Sequence, residues 1–194
     1  MKGCRPLNSD EEKSVLSSFE GSYAPRDKAI FVLGTKSGLR ISEILSLRIR
    51  DVIQVGSIVD RIYVERKNIK KKLEGRSVIL HPDARKSLKQ WLVELNQLGY
   101  KSDDAFVFQS RKGGNKPISR IQYYKILRNA FGKAGMAGKL GTHTMRKTFA
   151  NKVYDNLDHD LVKTARALGH KNINSTVQYL SFRQEEIDEA ILHS

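Results

Sequence analysis

Along the first fifty residues, apolar side chains recur at the three-to-four spacing of a helix face. Ser9, followed by Asp10, Glu11 and Glu12, reads as an N-cap with a capping box, and Val15, Leu16 and Phe19 supply the stripe of a first helix. Pro25 opens a second helix, whose Ile30, Phe31 and Leu33 predict burial. It ends near Ser37 and Gly38, where glycine accepts the left-handed conformation that stops a helix. A third helix begins around Arg40 and carries Ile41, Ile44, Leu45 and Leu47.

Between Val52 and Leu80 the pattern changes to that of strands. Ile58 to Val64 and Ser77 to Leu80, separated by a lysine-rich turn, predict a β-hairpin or a three-stranded sheet. Helical periodicity returns after His81 and Pro82 through Leu88, Trp91, Leu92 and Leu95, and Phe106 to Phe108 form a short extended run. From about Ser119 onward the chain reads as helices broken at Gly132, Gly135, Gly138, Gly141 and Gly169. With no internal repeat, linker or composition boundary, residues 1–194 predict one mainly α domain with a small antiparallel β-sheet, an α+β fold.

Charge narrows the partners. Lys and Arg number 35 against 21 acids, a net +14 spread along the chain, so a polyanion is the natural partner. Composition alone leaves an anionic membrane surface, or a merely basic soluble protein, as alternatives. Cys4 is the one cysteine, which excludes an internal disulfide and any multi-cysteine zinc site and fits a reducing cytoplasm. No apolar run resembles a signal peptide or a bilayer span, so the expectation is a soluble cytoplasmic protein in contact with DNA.

Four segments stand out for their order: Ser37 to Glu43, Thr142 to Arg146, Ala167 to His170, and Val177 to Tyr179. They contain Arg40 with Glu43 three residues later, then His143-x-x-Arg146, then Leu168-Gly169-His170, then Tyr179 nine residues after His170. Any one of these is a weak signal, since single arginines, histidines and tyrosines usually sit at surfaces or in packing. The ordered set is not. At these residues the chain resembles the tyrosine recombinase or phage integrase family, and the resemblance covers nearly its whole length.

The resemblance implies the catalytic-domain fold of that family and site-specific breakage and rejoining of DNA, whether integration, excision or inversion. Attack on a phosphodiester spreads negative charge over its non-bridging oxygens, and Arg40 and Arg146 would clamp them through bidentate hydrogen bonds. Tyr179 would be the nucleophile, forming a 3′-phosphotyrosyl link that conserves bond energy, so no cofactor is needed. A free phenol has a pKa of about 10, so His143 is assigned as proton acceptor. His170 would hydrogen-bond the phosphate, while Glu43 would steady Arg40. The family protonates the departing 5′-oxygen with a lysine in a strand turn. Lys67, Lys70, Lys71 and Lys72 lie there; Lys70 is assigned, with Lys71 as the alternative. The five histidines lack paired-ligand spacing and no acidic cluster suits magnesium, so no metal is expected.

Longer members of the family carry an N-terminal core-binding domain that closes over DNA. Arg40 lies so near the start that this domain is expected to be absent, as in the short recombinases that invert fimbrial promoters. Half a clamp on double-stranded DNA implies self-association, as a tetramer, and accessory DNA-bending proteins. Two other readings remain: a type IB topoisomerase-like nicking and closing enzyme, and a non-catalytic DNA-binding module. Glu185, Glu186, Ile187, Ala190, Ile191 and Leu192 predict a short amphipathic helix, docked on its own domain or passed to a neighbouring subunit.

The net charge of +14 carries a first prediction. Affinity for duplex DNA should fall linearly on a log–log plot against salt, by roughly a thousandfold between about 50 and 200 mM. Titrations at several salt concentrations measure the slope, and a flat response would contradict a phosphate-dominated contact.

Overall fold

The computed structural model describes residues 3–64, 75–180, 188 and 191–193. Helix α1 (Ser9–Ser17) is capped by Asn8, one residue earlier than expected. Its side chain accepts from the Glu11 N–H at 2.8 Å, and the Glu11 carboxylate accepts the Asn8 N–H at 3.0 Å. The box is real but Asn8 closes it, because Glu11 rather than Glu12 stands three positions on. Helix α2 (Ala24–Ser37) has Pro25 in its first turn and ends at Gly38 with φ of 62°. A short helix α3 (Ile41–Leu45) has Arg40 as its N-cap, and α4 (Ile49–Val52) follows.

The predicted long strand is divided. Ser57–Ile58 (β2) folds back on Ile53–Gln54 (β1), whereas Arg61–Val64 (β3) pairs antiparallel with Arg76–Ile79 (β4). The break falls at Val59 and Asp60, whose carbonyl accepts the Leu80 N–H at 2.8 Å and whose carboxylate meets Arg85 at 2.5 Å. Among the described residues, two two-stranded ladders therefore replace one sheet. Ile62, Val64 and Val78 point into the core while Tyr63 and Ile79 face outward, the alternation that the pleat imposes. Lys67, Lys70, Lys71 and Lys72 lie outside the described residues.

Helix α5 (Pro82–Gln97) packs on α2 through Leu88, Trp91 and Leu95, all fully buried. The Trp91 indole donates to the Val107 carbonyl at 2.7 Å, which satisfies the one polar group this large side chain takes inside. Helix α6 (Arg120–Lys133) runs through Gly132 rather than breaking there, and stops at Ala134. Then come α7 (Thr142–Asn156), α8 (Leu161–Leu168), which ends at Gly169 with φ of 64°, and the single turn α9 (Asn174–Val177). Of the C-terminal segment, Asp188 and residues 191–193 are described, and Ile191 and Leu192 are exposed; the rest of that predicted helix lies outside the description.

Helices α2 and α7 approach closely because Gly34 leaves room for Met145, whose Cβ would lie 2.8 Å from a side chain at that position. One turn later Gly38 faces Phe149. A Cβ at Gly38 would fall 2.3 Å from the Phe149 ring, and its positive φ disfavours any other residue. Gly38→Ala should therefore cost about 2–4 kcal/mol, combining backbone strain with overpacking. Denaturant unfolding checks this, and a loss below about 0.5 kcal/mol would contradict the packing described.

Candidate active site

Arg146 is the buried centre of the site. It sits on α7, one turn after His143, and is 2% exposed. No carboxylate among the described residues bonds it directly. Its NH1 donates to the Gly38 carbonyl and its NH2 to the Leu168 carbonyl at 2.7 Å. Both acceptors lie at helix C-termini, those of α2 and α8, where carbonyls lack intrahelical partners and the helix dipole is negative. Its Nε is buried with no hydrogen-bond partner among the described residues. Burial first, then the charges of Arg40 and Arg76, pull its pKa down to about 10, against the favourable pull of Tyr179 and Glu43.

The same NH2 lies 3.1 Å from Nε2 of His170. A guanidinium can only donate, so Nε2 accepts and Nδ1 carries the ring proton. That proton points to the Thr176 hydroxyl, 2.9 Å away and fully buried. His170 is thus held at both nitrogens, from α7 on one side and from α9 on the other. The left-handed turn at Gly169 brings it round from the end of α8.

Tyr179 follows α9 directly. Its hydroxyl is 3.2 Å from Nδ1 of His143, and its ring lies 5.3 Å from the His170 ring and 5.6 Å from the Arg146 guanidinium carbon. Asn151 donates to the Tyr179 carbonyl at 3.2 Å, fastening the backbone to α7. Burial, followed by the charges of Arg120, Arg146, Lys147 and Arg40, holds the His143 imidazole below its ordinary pKa. Neutral imidazole is the form that can accept a phenol proton at Nδ1.

Arg40 comes from the start of α3. Its NH1 meets Glu43 Oε1 at 2.9 Å and its backbone N–H meets Oε2 at 2.7 Å. Glu43 also receives Arg76 at 3.0 Å. Burial would push the Glu43 carboxyl upward, but the Arg40 N–H and the charges of Arg76 and Arg40 outweigh it and leave its pKa lowered. Among the described residues, the three guanidiniums of Arg40, Arg76 and Arg146 face the single Glu43 carboxylate, which leaves two positive charges in excess in this cluster. Such a cluster is built to receive an anion.

Six of the assigned residues, Arg40, Glu43, His143, Arg146, His170 and Tyr179, therefore come together from α3, α7, the α8 terminus and α9. Lys70 and Lys71 lie outside the described residues. Sequence reasoning missed Arg76 and Thr176. Thr176 stands three residues before Tyr179 and so shares its helical face, the one available signal; Arg76 offered none beyond being a cation at a strand start. A concavity of about 770 Å³ between the β1–β2 turn and α5, lined by Ile53, Ile58, Arg85, Lys86 and Leu92 among others, includes none of these residues. Among the described residues no group of three His, Cys, Asp or Glu side chains is disposed to hold a metal, and no helix is long and apolar enough to cross a membrane.

Known proteins resemble the chain over nearly its whole length. A probable integrase/recombinase, YoeC of Bacillus subtilis (strain 168), is 32% identical over 181 residues, covering 93% of this chain and 91% of that protein. The type 1 fimbriae regulatory protein FimB of Escherichia coli (strain K12) is 30% identical over 172 residues, covering 89% of this chain and 81% of that one. Among solved structures, the XerH site-specific recombinase bound to palindromic difH substrate, a post-cleavage complex, superposes with a TM-score of 0.75 at 26% identity. It covers 96% of this chain, which spans 51% of the XerH chain. The profile of the phage integrase family matches residues 5–186, a stretch that contains every residue of the cluster, and the chain belongs to that family.

Proposed function

We propose that this protein is a site-specific DNA recombinase that cleaves and rejoins double-stranded DNA through a 3′-phosphotyrosyl intermediate at Tyr179. The observation that carries the proposal is the Tyr179 hydroxyl resting 3.2 Å from Nδ1 of His143, beside a guanidinium cluster with excess positive charge. The phenol oxygen attacks the scissile phosphorus, its proton passes to His143, and the bond from phosphorus to the 5′-oxygen breaks. Arg40 and Arg146 bind the non-bridging oxygens as their charge grows. The leaving oxygen takes a proton from Lys70, or from Lys71 in the alternative assignment. Attack by a 5′-hydroxyl on the phosphotyrosine reverses the step, so no external energy source is consumed.

His170 changes partner in this scheme. Its Nε2 accepts from Arg146 at 3.1 Å, so donation to a phosphate oxygen requires a second ring proton or a switched tautomer. The Thr176 hydroxyl can serve either, because it both donates and accepts. DNA recognition rests on the basic surface. Self-association on DNA, as a tetramer, and accessory DNA-bending proteins would align two duplexes for exchange; a similar recombinase solved in complex with DNA supports the DNA partner.

Sequencing DNA recovered covalently bound to the protein in cells identifies the site, and a nicked duplex bearing that sequence then traps the adduct. Joining of two duplexes distinguishes a recombinase from a nicking and closing enzyme, and failure to trap any adduct would leave only a DNA-binding module. Tyr179→Phe should abolish the adduct while duplex affinity stays within about threefold, since only the nucleophilic oxygen is removed; an adduct in this variant would overturn the assignment. In the DNA-free protein the His143 ring should titrate below the ordinary histidine value of about 6.5. A folded-state pKa below the unfolded one means that its contribution to stability is complete above about pH 6.5 and is lost as pH falls. NMR of the ring protons checks this, and a raised value would contradict a neutral base.

A further inference from the structure

We infer that Arg76 is a positioning residue for cleavage, a strut that fixes Arg40 and Arg146 relative to one another by sharing an acceptor with each. Arg76 opens β4 and reaches across to two separate parts of the fold. Its NH2 donates to Glu43 Oε2 at 3.0 Å and its NH1 to the Leu168 carbonyl at 2.8 Å. Neither acceptor is Arg76's alone. Glu43 also holds Arg40, at 2.7 and 2.9 Å, and Leu168 also holds Arg146, at 2.7 Å.

Shared acceptors transmit position. A carboxylate approached by one cation can rotate and follow it, whereas one held from two directions cannot. The same applies to a carbonyl, whose two lone pairs here take one guanidinium each. Arg76 therefore prevents Glu43 from collapsing onto Arg40, and it fixes the peptide from which Gly169 and His170 depart. The chain makes specific room for this strut. A Cβ at Gly169 would fall 2.5 Å from Arg76 Cδ, so the glycine that ends α8 also lets the Arg76 stem pass. With its side chain 15% exposed, Arg76 faces protein groups at the two contacts described rather than open solvent. It acts on the phosphate through Arg40 and Arg146.

This inference rests on the proposed recombinase reading, and the test separates the two. Single-turnover cleavage is measured on a nicked duplex carrying the sequence most enriched in covalent adducts from cells. Wild type, Arg76→Gln, Glu43→Gln and the double variant are compared at a temperature where each is folded, with binding to the intact duplex measured in parallel. Arg76→Gln should slow cleavage at saturating DNA by roughly tenfold to a hundredfold, with affinity within about threefold. The double variant should be no slower than the slower single one, because both changes cut the same linkage. Arg76→Lys, a point charge that serves one acceptor at a time, should recover only part of the rate, and it provides the same comparison if Arg76→Gln does not fold. Multiplying rate losses in the double variant, or wild-type rates in Arg76→Gln or Arg76→Lys, would overturn the positioning role. No adduct from the wild type would instead overturn the recombinase reading, and the inference with it.

Discussion

A guanidinium taken out of water needs acceptors, and several kcal/mol are at stake if it does not find them. Arg146 finds them in the frayed ends of two helices. The carbonyls of Gly38 and Leu168 are ones that α2 and α8 cannot use internally, and each helix is stopped by a glycine with φ near +60°. Three elements are thereby fixed around one cation: α7, which carries it, and the termini of α2 and α8, which receive it. The turn at Gly38 leads directly to Arg40, and the turn at Gly169 leads directly to His170. The solvation of one buried side chain thus also places its two neighbours in the site.

The same arrangement holds the arginines in place and leaves the cluster suited to an anion. Glu43 neutralises part of the cluster and orients Arg40, but it does not cancel the charge. Among the described residues the Gly38 and Leu168 carbonyls and the His170 imidazole, rather than a carboxylate, hold Arg146, so its positive charge stays in place while its geometry is set. A second carboxylate in the cluster would cancel more of that charge and weaken its attraction for an anion.

Helices and their limits were legible in the chain because helical periodicity, Pro25 and Gly38 act locally. The candidate site was legible because its members sit in short motifs whose spacing is unusual, as with His143 and Arg146 or His170 and Tyr179. What escaped depends on distant or backbone partners. Arg76 pairs with an acid 33 positions away and with a main-chain carbonyl 92 positions away, and neither partner leaves a local mark. The break at Asp60 was invisible because the residues on both sides of it have strand-like composition; only the pairing of Ile58 with Ile53 and of Arg61 with Ile79 separates them. Asn8 and Ser9 are both good caps, and the choice went to the one whose third successor, Glu11, also pairs with Arg5.

The order of these residues along the chain has a bearing on safety. The side chains of His143, Arg146 and His170 that surround Tyr179 all precede it in sequence, as do Gly38 behind Arg146 and Thr176 beneath His170. A chain broken or stalled before α9 contains Arg40, Arg76 and Arg146 but not Tyr179. A peptide holding only α9 and Tyr179 lacks His143, Arg146 and His170, which surround that side chain. In the proposed reaction the capacity to cut DNA would therefore belong to the whole fold rather than to a fragment of it, and incomplete copies would make no nicks.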